Sequence, residues 1–149
     1  MKITGAAPRI AIPTFILLII TAVFDNILFP LFKITLYSYP TLVYAAIILI
    51  ILGIIMVINT GKKLIKAYKS GILMTDGLYR VFRNPMYAAY LIFIIPGICL
   101  LFNSWLVLTT VLFNFILLQI LIKEEYRYLE EKFGEEYQNY LKKVWIKFL

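Results

Sequence analysis

Apolar residues in this chain gather into four long runs, 10–32, 41–58, 86–102 and 105–122. A helix crossing about 30 Å of hydrocarbon needs about 20 predominantly apolar residues, and these runs reach or approach that length. Membrane-spanning strands would alternate with a period of two, which the runs do not. The pattern therefore predicts an all-α integral membrane fold with four transmembrane helices. Only Asn103-Ser104 interrupts the last two runs, so the third and fourth helices are expected to form a tight antiparallel hairpin. Beyond the hairpin the sequence reads KEEYRYLEEKFGEEYQNYLKKVWIKFL. Here Tyr126, Leu129, Phe133, Tyr137, Tyr140, Leu141 and Val144 recur at helical spacing among charges. That spacing predicts a C-terminal amphipathic cytoplasmic helix, bent at Gly134, lying in the headgroup layer or folded back over the bundle.

Composition agrees with a membrane class. The 149 residues are 62% hydrophobic and 15% charged, with a mean hydropathy of +0.89, outside the range of a water-soluble domain of this size. The net charge of +7 invites a nucleic-acid partner, but the cations flank apolar runs and no nucleic-acid module accompanies them. Lys and Arg number two before the first run (Lys2, Arg9) and one after it (Lys33). Six lie between the second and third runs (Lys62, Lys63, Lys66, Lys69, Arg80, Arg83), none in the hairpin turn and six in the tail. The positive-inside rule then puts both termini and the middle connection in the cytoplasm. No small-x-small cleavage site follows the first run, so it reads as a retained helix and not as a signal peptide. With no histidine and Cys99 as the single cysteine, the chain offers neither a His-dependent triad nor a conventional zinc ligand set, and no metal is expected.

Where chemistry can reside is narrowed by the stretch GLYRVFRNPMYAAY, residues 77–90, which sets two arginines and an Asn-Pro pair against the start of the third run. Asn84 and Pro85 suit a helix cap and first turn. Straight helices leaving a turn at 103–104 bring Arg83 to the level of Glu124, and Phe82 to that of Glu125. Tyr79, Tyr87, Tyr137 and Tyr140 can add a pocket with apolar walls and polar tips. Two readings follow from the residues: a binding pocket at the cytoplasmic membrane edge, or an Arg/Glu interfacial collar closing a non-catalytic scaffold or transporter subunit. Asp25 reads first as a wetted helix end and otherwise as a bend or helix contact, Pro96-Gly97 as a kink, Cys99 as a small core residue, and Lys62 to Lys69 as a stop-transfer contact with anionic lipid.

The pattern G-x-Y-x-x-x-R-[HN]-P-x-Y is carried by Gly77, Tyr79, Arg83, Asn84, Pro85 and Tyr87. After the hairpin, E-E-x-x-x-L-x-x-x-F-G-x-x-Y-x-x-Y-x-x-x-V is carried by Glu124, Glu125, Leu129, Phe133, Gly134, Tyr137, Tyr140 and Val144. Together, over residues 71–144, they resemble the isoprenylcysteine carboxyl methyltransferase and phospholipid N-methyltransferase group of membrane enzymes. The resemblance implies methyl transfer from S-adenosylmethionine to a lipophilic small-molecule or prenylated acceptor that enters from the membrane lipids. It assigns the cofactor to segments 71–87 and 123–145, with contacts from Tyr79, Asn84, Pro85, Met86, Tyr87, Glu124 and Glu125 and from the backbone of Ile72, Leu73 and Met74. Arg83 or Arg80 would pair with the cofactor carboxylate, and Arg83 and Glu125 are the candidate catalytic residues. An anionic acceptor would need no general base, whereas an amine would have to be deprotonated first. The chain departs from the group at Asn84, where histidine is usual, at Ala89, and at Leu121, where the carboxyl methyltransferases carry a basic residue.

Overall fold

The computed structural model describes residues 7–28 and 31–148, so Lys2 and residues 29–30 of the first apolar run lie outside the described residues. The elements in chain order are α1 (Ala7–Leu28), α2 (Tyr39–Ser70), α3 (Leu78–Val81), α4 (Pro85–Ala88), a π-helical segment (Ala89–Ile94), α5 (Ile95–Leu101), α6 (Trp105–Leu121) and α7 (Lys123–Lys143). Among the described residues there is no strand, only isolated bridges pairing Lys33 with Ser104 and Phe82 with Ile146. Three helical stretches, Arg9–Leu28, Tyr39–Ala67 and Trp105–Lys143, are long and apolar enough to cross a membrane, and Pro85–Leu101 is a shorter apolar helix.

At about 1.5 Å per residue, the 32 residues of α2 outrun the hydrocarbon. The lysines Lys62, Lys63, Lys66 and Lys69 therefore sit, exposed, on helical turns that continue past the apolar run, where the sequence suggested a connection. Helix α2 packs against α5 and the π segment. Glycine makes that approach possible: a Cβ on Gly97 would lie 2.7 Å from Ile50 Cγ1 and 3.0 Å from the Ala46 carbonyl oxygen. Gly97→Ala should therefore lower stability by about 1 kcal/mol through overpacking, read as a lower melting temperature in detergent. An unchanged melting temperature would mean that the interface gives way without cost.

Helix α1 lies along α6, where Thr14 and Asn114, both fully buried, hydrogen-bond to each other. Asn114 also donates to the Thr110 carbonyl at 2.9 Å. Such polar nodes between apolar helices fix register more than they add stability, at about 0.6 kcal/mol each. Of the two readings for Asp25, the structure shows the helix contact. Asp25 accepts a 2.5 Å bond from Ser104 Oγ, tying the end of α1 to the hairpin turn, and backbone bonds from Trp105 to Phe32 and from Ile34 to Asn103 hold the same turn. Cys99 is fully buried with Leu18, Ile95 and Val107.

At the opposite end, α6 runs almost directly into α7. The kink at Gly134 is real: its φ of 46° and ψ of −119° are non-helical. After α7 the chain turns back along the α3–α4 connection, where Ile146 N donates to Val81 O at 2.8 Å and Arg83 N donates to Ile146 O at 3.0 Å. Leu73, Tyr137, Tyr140 and Val144 form the small core beneath this return.

Candidate functional site

Three stretches far apart in sequence meet at this end of the bundle: the last turns of α2 with the following loop, residues 79–87, and α7. They enclose a cavity of about 410 Å³. Leu73, Met74, Tyr79, Arg83, Asn84, Pro85, Met86, Tyr87 and Glu125 all line it, as do Ile72, Tyr137 and Tyr140. Its wall is mostly apolar, and Glu125 is its one carboxylate among the described residues.

The loop 71–77 begins where Gly71 ends α2 with a bond from Ile72 N to Ala67 O, and it turns Leu73 inward against Tyr137 and Tyr140. Pro85 starts α4, where its missing N–H has no intrahelical partner, and it is buried. Asn84 occupies the cap position without a side-chain capping bond. Its amide donates instead to Tyr126 Oη at 2.6 Å, so its side chain is committed to α7.

Arg83 does not pair with a carboxylate as level-counting suggests. Its Nε and Nη2 donate to Tyr137 Oη at 2.9 and 2.5 Å, and its Cζ lies 3.2 Å from the centroid of the Tyr126 ring. Glu125 instead accepts from Tyr87 Oη at 3.0 Å. Asn84 meets Tyr126 and Tyr87 meets Glu125, three and five residues further along than straight-helix counting gives, and the Arg83 bond to Tyr137 lies further still. Straight-helix levels end at Pro85, because Phe82 (φ −111°, ψ 136°) and Asn84 (φ −131°, ψ 77°) are not helical.

Glu124 is a correction. It does not line the cavity but bonds to Arg9 of α1 at 2.8 Å, both side chains being largely exposed. Adjacent helical residues point about 100° apart, so turning Glu125 inward turns Glu124 outward. Arg80 is excluded from the cavity as well. It lines a separate, wider cleft of about 800 Å³ with Asp76, Glu136 and Lys143, on the far side of Tyr140.

Burial dominates the protonation chemistry of the wall. It pushes the Tyr79 phenol up to about 12, helped by the negative charge of Glu125, and it raises Tyr137 and Tyr140 as well. These tyrosines are therefore neutral hydroxyls at physiological pH and poor proton acceptors. Tyr140 uses its hydroxyl structurally, donating to the Tyr79 carbonyl at 2.8 Å.

Sequence reasoning missed six further lining residues, and only two of them carried a usable signal. Gly61, Leu64, Ile65 and Ala67 belong to a helix whose pattern reads only as apolar and basic. Tyr128 and Lys132 sit at unmarked positions of α7, with the Lys132 ammonium 5.1 Å from the Phe133 ring. Their helical spacing from Glu125 could have found them, since positions 125, 128, 129 and 132 share one face.

Residues 41–136 match the phospholipid methyltransferase family. A probable protein-S-isoprenylcysteine O-methyltransferase of Oryza sativa subsp. indica is 29% identical over 133 residues, covering 80% of this chain and 65% of the rice protein, and the japonica protein matches equally. The protein-S-isoprenylcysteine O-methyltransferase of Schizosaccharomyces pombe is 37% identical over 81 residues, 53% of this chain and 34% of the yeast protein. The chain thus spans just under two thirds of the rice proteins' length. No solved structure matches.

Proposed function

The chain belongs to the phospholipid methyltransferase family, and from that premise we propose that it is an integral membrane methyltransferase using S-adenosylmethionine on a lipophilic acceptor at the cytoplasmic face. One observation carries the reading. Residues on either side of the hairpin, singled out by a motif, converge on one cavity that, among the described residues, holds a single carboxylate and a clamped guanidinium. An Arg/Glu collar would pair those two charges with each other, whereas Arg83 is held by Tyr126 and Tyr137, and Glu125 accepts from Tyr87.

The cavity fits the cofactor. Its volume is within the range of small-molecule sites, and its apolar and aromatic walls suit an adenine ring. Glu125 matches an amino group or ribose hydroxyls, and Arg83 matches a carboxylate. When bound, S-adenosylmethionine supplies an activated methyl on a sulfonium, which leaves as a neutral thioether when the acceptor forms its new bond. The protein's part is positioning and exclusion of water. Glu125, steadied by Tyr87, orients the cationic end, and the tyrosines keep the wall dry and uncharged. Of the bases an amine acceptor would need, the tyrosines Tyr79 and Tyr137 are neutral, Glu124 is outside the cavity on Arg9, and Glu125 is assigned to the cationic end of the cofactor, so a carboxylate acceptor, already anionic, is favoured over an amine. The names of the rice and yeast relatives point the same way, to a prenylated cysteine carboxylate.

In the membrane, Pro85–Leu101 would be the third of four crossings, with both termini and the cavity cytoplasmic and the helix at Lys123–Lys143 lying at that face. Lys62 to Lys69 on the extended α2 would meet anionic headgroups. Titration of S-adenosylmethionine into the detergent-solubilised protein by calorimetry tests the reading, with saturable binding expected. Absence of heat and of a thermal shift at millimolar ligand would overturn it. Labelled cofactor incubated with total membranes, followed by mass spectrometry of the methylated product, identifies the acceptor.

A further inference from the structure

Tyr126 grips two neighbours in the chain at once. Its ring face carries the Arg83 guanidinium 3.2 Å from the centroid, and its hydroxyl accepts from the Asn84 amide at 2.6 Å. Both gripped residues line the cavity, and Tyr126 does not. It stands behind the wall and reaches any ligand only through them. On the other side Tyr137 takes the Nε and Nη2 donors of Arg83, its own ring 5.3 Å away, and it is itself 1% exposed and so firmly seated.

An arginine side chain carries large rotamer entropy, which a ligand would otherwise have to remove on binding. Stacking a cation on a tyrosine face is favourable, the more so in a dry site, and here it fixes the plane of the fork before any ligand arrives. Resting on the cavity being the S-adenosylmethionine site, we propose that Tyr126 is a positioning residue that presets Arg83 and Asn84 for the carboxylate end of the cofactor. Tyr137 occupies the Nε–Nη2 edge, so the Nη1 end of Arg83 meets that carboxylate. The hydroxyl of Tyr126 matters as well as its ring, because its bond from Asn84 sets the angle at which the face is offered. Burial raises this phenol while the Arg83 charge opposes the rise, and it is a neutral hydroxyl in the working range.

Calorimetry with two ligands separates positioning from mere packing. S-adenosylmethionine carries the carboxylate, and 5′-methylthioadenosine shares the nucleoside but lacks it. Tyr126→Leu should weaken S-adenosylmethionine about fivefold and Tyr126→Phe about twofold, with 5′-methylthioadenosine unchanged in both. In an Arg83→Lys background, Tyr126→Leu should add less than a twofold loss, because its effect passes through Arg83. Equal weakening of both ligands, or unaltered binding of S-adenosylmethionine, would overturn the proposal. If Tyr126→Leu fails to fold, the ligand selectivity of Tyr126→Phe decides. A wild-type protein that binds 5′-methylthioadenosine and not S-adenosylmethionine would overturn the cofactor reading itself, and is distinguished by needing no variant.

Discussion

Glu125→Gln should weaken S-adenosylmethionine binding at least tenfold while leaving the protein folded. A hydrogen bond to a charged group is worth about 1.5–3 kcal/mol, roughly ten- to hundredfold or more in affinity, and Glu125 is the only carboxylate lining the cavity among the described residues. The amide keeps the shape and still offers an oxygen to the Tyr87 hydroxyl, 3.0 Å away in the wild type, so the local packing survives. What disappears is the negative charge facing the cationic end of the ligand. The neighbouring residue provides the control. Glu124 points to Arg9 on the surface, where an exposed pair contributes about 0–1 kcal/mol, so Glu124→Gln should change affinity less than twofold. Near-wild-type affinity in Glu125→Gln, or equal losses in the two variants, would remove Glu125 from the site.

That two adjacent glutamates behave differently marks where the sequence stopped being readable. Both belong to one motif, and a motif does not say which of two neighbours faces inward. The phase is set when α7 leaves α6 at Ile122 and brings residue 125 against Tyr87. The hairpin itself was legible, because an uninterrupted apolar run broken by Asn103-Ser104 allows little else. The contact register was not, because level-counting assumes straight helices from the turn onward, and the backbone is non-helical at Phe82 and Asn84. The reach of α2 was hidden for a different reason. A lysine-rich end after an apolar run looks the same whether it is loop or helix, and Gly61, Leu64 and Ile65 become cavity wall only because the helix continues to Ser70. Nor could side-chain patterns announce the return of residues 145–146 to 80–83, since backbone groups make that pairing. Asn84 shows the converse. Its departure from the usual histidine was visible at once, but its bond to Tyr126 depends on a residue outside both motifs.

Gly134→Ala should cost both stability and ligand binding through the backbone alone. A Cβ at Gly134 meets nothing within 4 Å, so no clash is involved, but the φ of 46° with ψ of −119° is a conformation that residues with a side chain avoid. Holding alanine there costs about 1–3 kcal/mol. Relaxing it into the α region straightens α7 and carries the chain beyond it away from the cavity. In that case Tyr137 leaves Arg83, Tyr140 leaves the Tyr79 carbonyl, and the Phe82–Ile146 bridge opens. Either way the variant is destabilised, and the straightened form has lost one wall of the site, so S-adenosylmethionine affinity should fall at least tenfold with helical content by circular dichroism undiminished. Gly61→Ala isolates the cause: it too has nothing within 4 Å of the added methyl, yet Gly61 lies inside helical α2. Alanine there should hold or raise stability, by up to about 1 kcal/mol, because glycine is the poorer helix former. If Gly134→Ala melts and binds like the wild type while Gly61→Ala behaves as stated, the kink is not what holds the C-terminal half of α7 over the cavity.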